Sequence, residues 1–404
     1  LDNRGLPEKI NRQRIEMNIA FFTECWEPQI NGVITALKNL EQGLVEHGHK
    51  IYVFAPEHNH YIDNKSCIFR QKAIKYYFQP EFNFASIFIN KALKKTKEWN
   101  IRLIHSHTEF SMGLVAARIA KYLNIPYIYT FHTLWECYSH YFFWDIFPKS
   151  TIRFLLSLLY KIPHYFIVPS QKIKAYLESI MHIKGQVEII PTGLDLEHFY
   201  NYEISTHDRI SFRKQYGIGK DDQVMIFVGR IGKEKSIDIL IKGLPVLKKK
   251  YPGIKLLLVG GGPAVEELKK LARSLSVEKQ VVFCGYMPWG TIPMAYKASD
   301  IFVNASTTET QGLVTIEAMA SGLPVIVKND ITNLEIINNG NDGLVFDRDI
   351  DFPTRVISLF SEPRLCDTLR KNSLKASRKY TVKEFGKRTD EFYKAVFKDF
   401  YKKY

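Results

Sequence analysis

Short, β-rich and mainly apolar runs alternate with longer segments of mixed polarity along nearly the whole of this 404-residue chain. The first series of runs is Asn18–Thr23, Lys50–Ala55, Arg102–Ser106, Tyr127–Phe131, Tyr165–Val168 and Val187–Ile190. A second follows: Val224–Val228, Lys255–Val259, Val281–Cys284, Ile301–Val303, Pro324–Val327 and Gly343–Phe346. Helical patterns lie between them, among them Val33–Glu46, Leu114–Leu123, Ile237–Lys250 and Val314–Ala320. Strand and helix alternating at this spacing predict an α/β chain with two mostly parallel sheets. Strands without polar alternation belong to sheets covered on both faces. The length suits two domains. The alternation lapses between residues 193 and 220, where Asp208 to Lys220 is polar and basic. This predicts one domain over 1–200 and a second over 201–381. The tail, 382–404, reads as a basic amphipathic helix, with Phe385, Phe392, Val396, Phe400 and Tyr404 partly in step, returning to the first domain.

Composition narrows the class less than the pattern does. Lys and Arg number 56 against 42 Asp and Glu, a formal charge of +14. That excess suits an anionic partner without separating nucleic acid, membrane or nucleotide, and a solvated Lys-rich surface gives the same sum. An apolar content of 46% excludes a disordered chain. The five Cys form no CxxC pair, so neither a disulfide framework nor a thiolate metal site is expected, and a reducing compartment is. Residues 1–16 are polar, and the apolar run after them is too short for a secretory signal. The longest apolar stretch, Ile152 to Val168, is broken by Arg153, Lys161 and Pro163, so no membrane span is expected.

In open α/β sheets ligands bind beyond the carboxyl ends of the strands. Tandem domains of this kind are expected to create a cleft between such loops. After the first strand, Asn31-Gly32-Val33 opens a helix, where a glycine lets backbone N–H groups approach a phosphate closely, although Asn-Gly is also an ordinary turn. After Val224–Val228 come Arg230 and Lys235, a planar donor fork and a mobile point charge suited to a diphosphate, or simply a basic surface loop. After Lys255–Val259 comes Gly260-Gly261-Gly262. Its spacing is not GxGxxG, so a nicotinamide dinucleotide fold is not favoured. After Ile301–Val303 come Glu309, then Gly312-Leu313 opening a helix, then Glu317 upon it. Carboxylates there pair with vicinal sugar hydroxyls, and the helix start offers N–H groups to phosphate oxygens. In the first half, His105, His107, Glu109, His132 and Glu136 gather at strand ends. They suggest a metal site, but no HxxxH helix or Cys set supports it, and one of the alternating histidines is expected to be satisfied beneath the sheet.

With these pieces in order, the sequence resembles the retaining GT-B glycosyltransferases of family 4. The matching elements are Glu309-x7-Glu317 with Gly322-x-Pro324, Gly229-Arg230 with Lys235, Asn31-Gly32-Val33 and Phe131-His132-Thr133. Within the family, Thr130-Phe-His-Thr-Leu-Trp-Glu-Cys-Tyr-Ser-His-Tyr141 and His105-Ser-His-Thr-Glu-Phe-Ser-Met-Gly113 are similar to runs of the bacterial diacylglycerol glucosyltransferases. Gln311 stands where many relatives carry Phe, and Cys137 where the subgroup carries Asp. The resemblance implies two Rossmann-like domains facing each other across a cleft. It implies that Gly32 contacts the donor phosphate, that Arg230 and Lys235 clamp the diphosphate, and that Glu317 binds the ribose hydroxyls. Glu309 would hold the transferred sugar with the amides of Gly312 and Leu313. His132 would lie beside the anomeric centre, and His107, Glu109 and Trp135 on the acceptor side. A UDP-hexose donor, glucose or galactose, is implied, with no tightly bound cofactor and no metal needed for the chemistry.

Lys and aromatic residues interleave from Arg70 to Lys97, and a second apolar run follows Tyr141. Both suit an interface with anionic lipid, though a buried helix flanked by solvated Lys has the same composition. With the resemblance, the expectation is a peripheral enzyme on the cytoplasmic face of the membrane that glycosylates 1,2-diacylglycerol. The alternative is a family 4 enzyme with a soluble or polyprenyl-linked acceptor. Nucleic acid is not an expected partner, because Glu309 and Glu317 would repel a phosphate backbone.

Overall fold

The structure, a computed structural model, describes residues 16–29, 31–58, 61–75, 83–132 and 149–403. The chain divides into two compact units. The first holds residues up to Pro169, then Ile173–Gly193 and the segment from Val382; the second holds Ser170–Lys172 and Leu194–Thr381.

In the first unit, strands β1 (Asn18–Phe22), β2 (Lys50–Pro56) and β3 (Ile68–Gln71) lead to the small antiparallel pair β4 (Ala73–Lys75) and β5 (Asn83–Ala85). Strands β6 (Leu103–Ser106), β7 (Tyr127–Thr130), β8 (Tyr165–Val168) and β9 (Gln186–Ile189) complete a seven-stranded sheet in the order β3-β2-β1-β6-β7-β8-β9. Every pairing in it is parallel. Helices α1 (Gly32–Glu46), α2 (Asn90–Glu98), α3 (Ser111–Leu123) and α4 (Lys149–Tyr160) join the strands.

Alternation along β1 sends Ile19 and Phe21 into one core and Ala20 and Phe22 into the other. The first core contains Leu37, Leu40 and Leu44 of α1 together with Phe392, Tyr393, Val396 and Phe400. These last belong to the C-terminal helix, Val382–Lys403, which thus packs on the first unit. The opposite core is built from Met112, Val115, Ala116 and Ile119 of α3. Both faces being covered accounts for strands of unbroken apolar character.

The second unit repeats the plan. Strands β10 (Val224–Val228), β11 (Lys255–Val259), β12 (Val281–Gly285), β13 (Ile301–Asn304), β14 (Val325–Lys328) and β15 (Leu344–Phe346) form a parallel sheet ordered β12-β11-β10-β13-β14-β15. Met225 and Phe227 of β10 enter one core, Val224, Ile226 and Val228 the other.

The continuous part of this unit starts at Leu194, seven residues ahead of the expected boundary at 201. The reason is burial: Leu194, Leu196 and Phe199 join the core beneath β10. The polar, basic stretch where the alternation lapses contains a helix, Thr206–Gln215. Its Arg213 is buried and reaches Asp300 at 3.1 Å and the Ala298 carbonyl at 2.9 Å, so this charge braces the interior.

Candidate active site

Each sheet reverses its strand order once, at β1/β6 in the first unit and β10/β13 in the second. Such switch points leave a crevice at the carboxyl ends of the two diverging strands. The candidate residues collect at these two places.

In the second unit, β10 runs into Gly229-Arg230 and a short turn, Lys233–Lys235. The tip is pressed against the loop after β11: a Cβ on Gly260 would lie 1.9 Å from the Gly229 carbonyl oxygen, and one on Gly262 2.4 Å from that of Ile231. The triple glycine is therefore required by loop–loop packing at two of its positions, whereas a Cβ on Gly261 would meet nothing within 4 Å. Lys235 Nζ lies 2.8 Å from Glu309 Oε1, with both side chains largely buried. Arg230 Nη1 is 3.9 Å from Glu234 Oε1.

The loop after β13 is fixed from several sides. Asn304 Oδ1 accepts from Ser306 N, Thr332 Oγ1 donates to the Glu309 carbonyl, and Asn333 Nδ2 donates to the Ser306 and Lys328 carbonyls. Gly312 then turns the chain at φ +73 and caps helix α5 (Leu313–Ala320), which begins with no side-chain cap. A helix start of this kind presents its first N–H groups and the positive end of the dipole to an anion. On α5, Glu317 Oε2 accepts from the Tyr296 hydroxyl at 3.2 Å. Burial pushes its pKa up to about 7, with the Tyr296 hydrogen bond opposing. Cations, carboxylates and a helix start gathered at one switch point can accommodate a diphosphate flanked by hydroxyl-bearing groups.

In the first unit, Asn31 caps α1 through a 3.0 Å bond from Ile34 N. A Cβ on Gly32 would meet nothing within 4 Å, so packing does not require glycine there and a ligand has room to approach the backbone. His107 and Glu109 follow β6, and His132 follows β7. His107 Nδ1 is 3.2 Å from His132 Nε2. Burial holds the His132 pKa down at about 4 and that of His107 well below the usual imidazole value. His105 is the histidine satisfied beneath the sheet, bonded to the Tyr393 hydroxyl at 2.5 Å and to Thr130 Oγ1 at 2.6 Å. Glu109 Oε1 accepts from the Tyr160 hydroxyl at 2.8 Å. It stands in the wall of a small cavity otherwise lined by aromatic and apolar groups, including Tyr129, Leu159 and Ile162. Among the described residues no group of three His, Cys, Asp or Glu is arranged to hold a metal ion.

Trp135, Glu136 and Cys137 lie outside the described residues, as do Tyr76, Tyr77, Phe78 and Phe82. Sequence reasoning missed Tyr296, which orients Glu317, and Tyr393, which anchors His105 from the far end of the chain. No local pattern announces either contact, because 21 and 288 residues separate the partners. It also missed Glu24, which accepts from Ser111 Oγ and Met112 N at the start of α3 and ties the β1 loop to the β6 loop.

The description "Glycosyltransferase Family 4" matches residues 30–198 and "Glycosyl transferases group 1" residues 208–376. The chain is 31% identical over 396 residues to the α-monoglucosyldiacylglycerol synthase of Acholeplasma laidlawii, covering 93% of this chain and 96% of that protein. It is also 31% identical over 383 residues to the α-monoglucosyldiacylglycerol synthase of Streptococcus pneumoniae (strain ATCC BAA-255 / R6), covering 93% and 85%. Among solved structures, Anabaena HepE in complex with UDP superimposes with a TM-score of 0.72 at 19% identity, over 94% of this chain and 100% of that one.

Proposed function

The chain belongs to the family 4 glycosyltransferases, and we propose that it moves glucose or galactose from a UDP-sugar to the free hydroxyl of 1,2-diacylglycerol, giving an α-monoglycosyldiacylglycerol. The observation that carries the reading is full-length similarity to two proteins named as α-monoglucosyldiacylglycerol synthases. It is joined by Arg230, Lys235, Glu309 and Glu317 gathered at the switch point of the second sheet. HepE, of the same fold, is crystallised with UDP and with UDP-glucose.

In this reading Arg230 and Lys235 bind the diphosphate, with the amides at Gly312-Leu313 and at Gly32 adding donors. Glu317 takes the ribose hydroxyls. Glu309 takes the sugar, and its ion pair with Lys235 keeps both groups placed before the donor arrives. Transfer is front-face. The bond from the anomeric carbon to the diphosphate oxygen breaks, and its electron pair leaves with UDP. The cations stabilise the charge that develops there. The acceptor oxygen bonds the anomeric carbon on the same face, and its proton passes to the departing phosphate oxygen. His132 stands beside the sugar and Glu109 on the acceptor side.

Peripheral membrane attachment is part of the same proposal. Among the described residues no helix is long and apolar enough to cross a membrane. The first unit exposes Ile74, Phe84, Ile87 and Phe88 next to Lys91, Lys94, Lys95 and Lys97 of α2, and Phe154, Leu158 and Ile162 on and after α4. Apolar groups beside Lys suit the headgroup region of an anionic leaflet. The test pairs UDP-glucose and UDP-galactose with vesicles containing diacylglycerol and, separately, with soluble sugar acceptors. Labelled lipid product is expected from one or both donors. Transfer to soluble acceptors alone would replace the lipid reading with its alternative.

A further inference from the structure

Two neutral histidines share one hydrogen bond in the first unit, and their surroundings decide which ring gives the proton. His107 is 2% exposed, and Phe21 packs against it at 4.7 Å with the ring planes at 70°. Its Nδ1 is 3.2 Å from His132 Nε2. Its Nε2 is buried and has no hydrogen-bond partner among the described residues. Burial keeps both rings neutral near pH 7, so each carries one proton, and one proton must lie between them.

Two arrangements meet that condition. In the first, His132 Nε2–H donates to His107 Nδ1. The His107 proton then sits on Nε2, a buried N–H with no acceptor. In the second, His107 Nδ1–H donates to His132 Nε2, and His107 Nε2 keeps a bare lone pair. Orphaned buried N–H groups are the rarer defect, and a lone pair without a donor is tolerated more often. The second arrangement puts the proton of His132 on Nδ1.

We propose that His107 is a positioning residue that donates Nδ1–H to His132 Nε2 and so fixes His132 as its Nδ1–H tautomer. The functional consequence rests on the reading above, in which His132 lies beside the transferred sugar. There His132 offers a hydrogen-bond donor, suited to a sugar hydroxyl oxygen, rather than a lone pair. His105 takes no part in this, because both of its nitrogens are engaged by Tyr393 and Thr130.

The test reads the tautomer directly, without substrate. The full chain is labelled with 15N-histidine, and the ring-nitrogen shifts are recorded near pH 7, with His132 assigned through His132→Gln. The expected pattern has the proton on Nδ1 of His132; a proton on Nε2 overturns the proposal. His107→Asn keeps an amide donor near the Nδ1 position and is expected to preserve the pattern. His107→Leu is expected to release His132 to the Nε2–H form that free imidazole prefers. An unchanged tautomer in folded His107→Leu would also overturn the proposal. In the transfer assay, His107→Leu should lower kcat by roughly tenfold with little change in KM for UDP-glucose, and His107→Asn should recover most of the loss. Equal losses in both variants count against the positioning role. If the tautomers are as expected but no lipid is glycosylated, the functional reading fails and the histidine assignment stands.

Discussion

At the scale of single residues, two carboxyls with raised pKa values tie the protein to pH near neutrality. Glu317 has its pKa raised to about 7 by burial. Its carboxylate, the form that accepts two hydroxyl hydrogen bonds, therefore grows as pH rises through neutrality. UDP-glucose does not itself titrate in that range. Its affinity is expected to tighten by up to about tenfold between pH 6 and 8, and to lose that dependence in Glu317→Gln. Calorimetric titration measures both, and a flat wild-type profile would remove Glu317 from the ribose. Glu24 is 5% exposed, its Oε2 has no partner among the described residues, and its pKa is likewise raised to about 7, first by burial. A carboxyl raised from 4.5 binds its proton more tightly when folded. Its contribution is fully present below about pH 4.5 and is lost as pH rises to about 7. Glu24→Gln keeps the shape without the charge. It should stabilise the protein at pH 8 by up to about 3 kcal/mol, and the gain should fade as pH falls toward 4.5. Denaturant melts at the two ends of that range decide it; a variant less stable at pH 8 would mean that the carboxylate is needed.

At the scale of elements, the strands were legible because parallel strands covered on both faces carry unbroken apolar runs. Val224–Val228 and Lys255–Val259 have the same limits in sequence and structure. Ile68–Gln71 was not legible, since an edge strand of four residues with Arg70 and Gln71 lacks that signature. The helix starts were read slightly late at α1 and α3, where Gly32 and the run Ser111-Met112-Gly113, with its weak helix formers Ser and Gly, precede the continuous pattern. The amphipathic stripe at 382–404 suggested a returning helix, but not the means of its close approach. A Cβ on Gly386 would stand 2.4 Å from the backbone carbon of Gly43, and one on Gly43 2.8 Å from Gly386 Cα. Two helices cross there with backbone against backbone. Gly386→Ala should cost about 1–3 kcal/mol and lower the unfolding midpoint, whereas Gly290→Ala, with open space around it, serves as the control. A melt unchanged by Gly386→Ala would mean that the helices can slide apart at little cost.

At the scale of the whole molecule, charge was the least informative quantity and local arrangement the most. The net +14 is compatible with nucleotide, membrane or plain solvation. The proposed function rests instead on where charges sit: Lys235 against Glu309 at a switch point, and a row of Lys on α2 beside exposed Phe84 and Phe88. Replacing Lys91, Lys94, Lys95 and Lys97 together with Ala should weaken binding to phosphatidylglycerol vesicles by about tenfold or more at low salt and flatten its salt dependence. Sedimentation with such vesicles measures this, and unchanged binding would move the membrane contact elsewhere on the surface. The family was readable from motifs because the residues that carry them are close in sequence to the strands that present them; the same motifs supply the residues proposed for the donor site. The supports of the site, Tyr296, Tyr393 and Glu24, depend on contacts that only the folded sheet creates.

The central claim is transfer of a hexose from a UDP-sugar to diacylglycerol with the donor's anomeric configuration kept. The most direct measurement is the proton NMR spectrum of the lipid made from UDP-glucose and diacylglycerol, read at the anomeric proton. The small coupling of an α-glucoside is the predicted result. The large coupling of a β-glucoside, or glucose found only on a non-lipid acceptor, would contradict it.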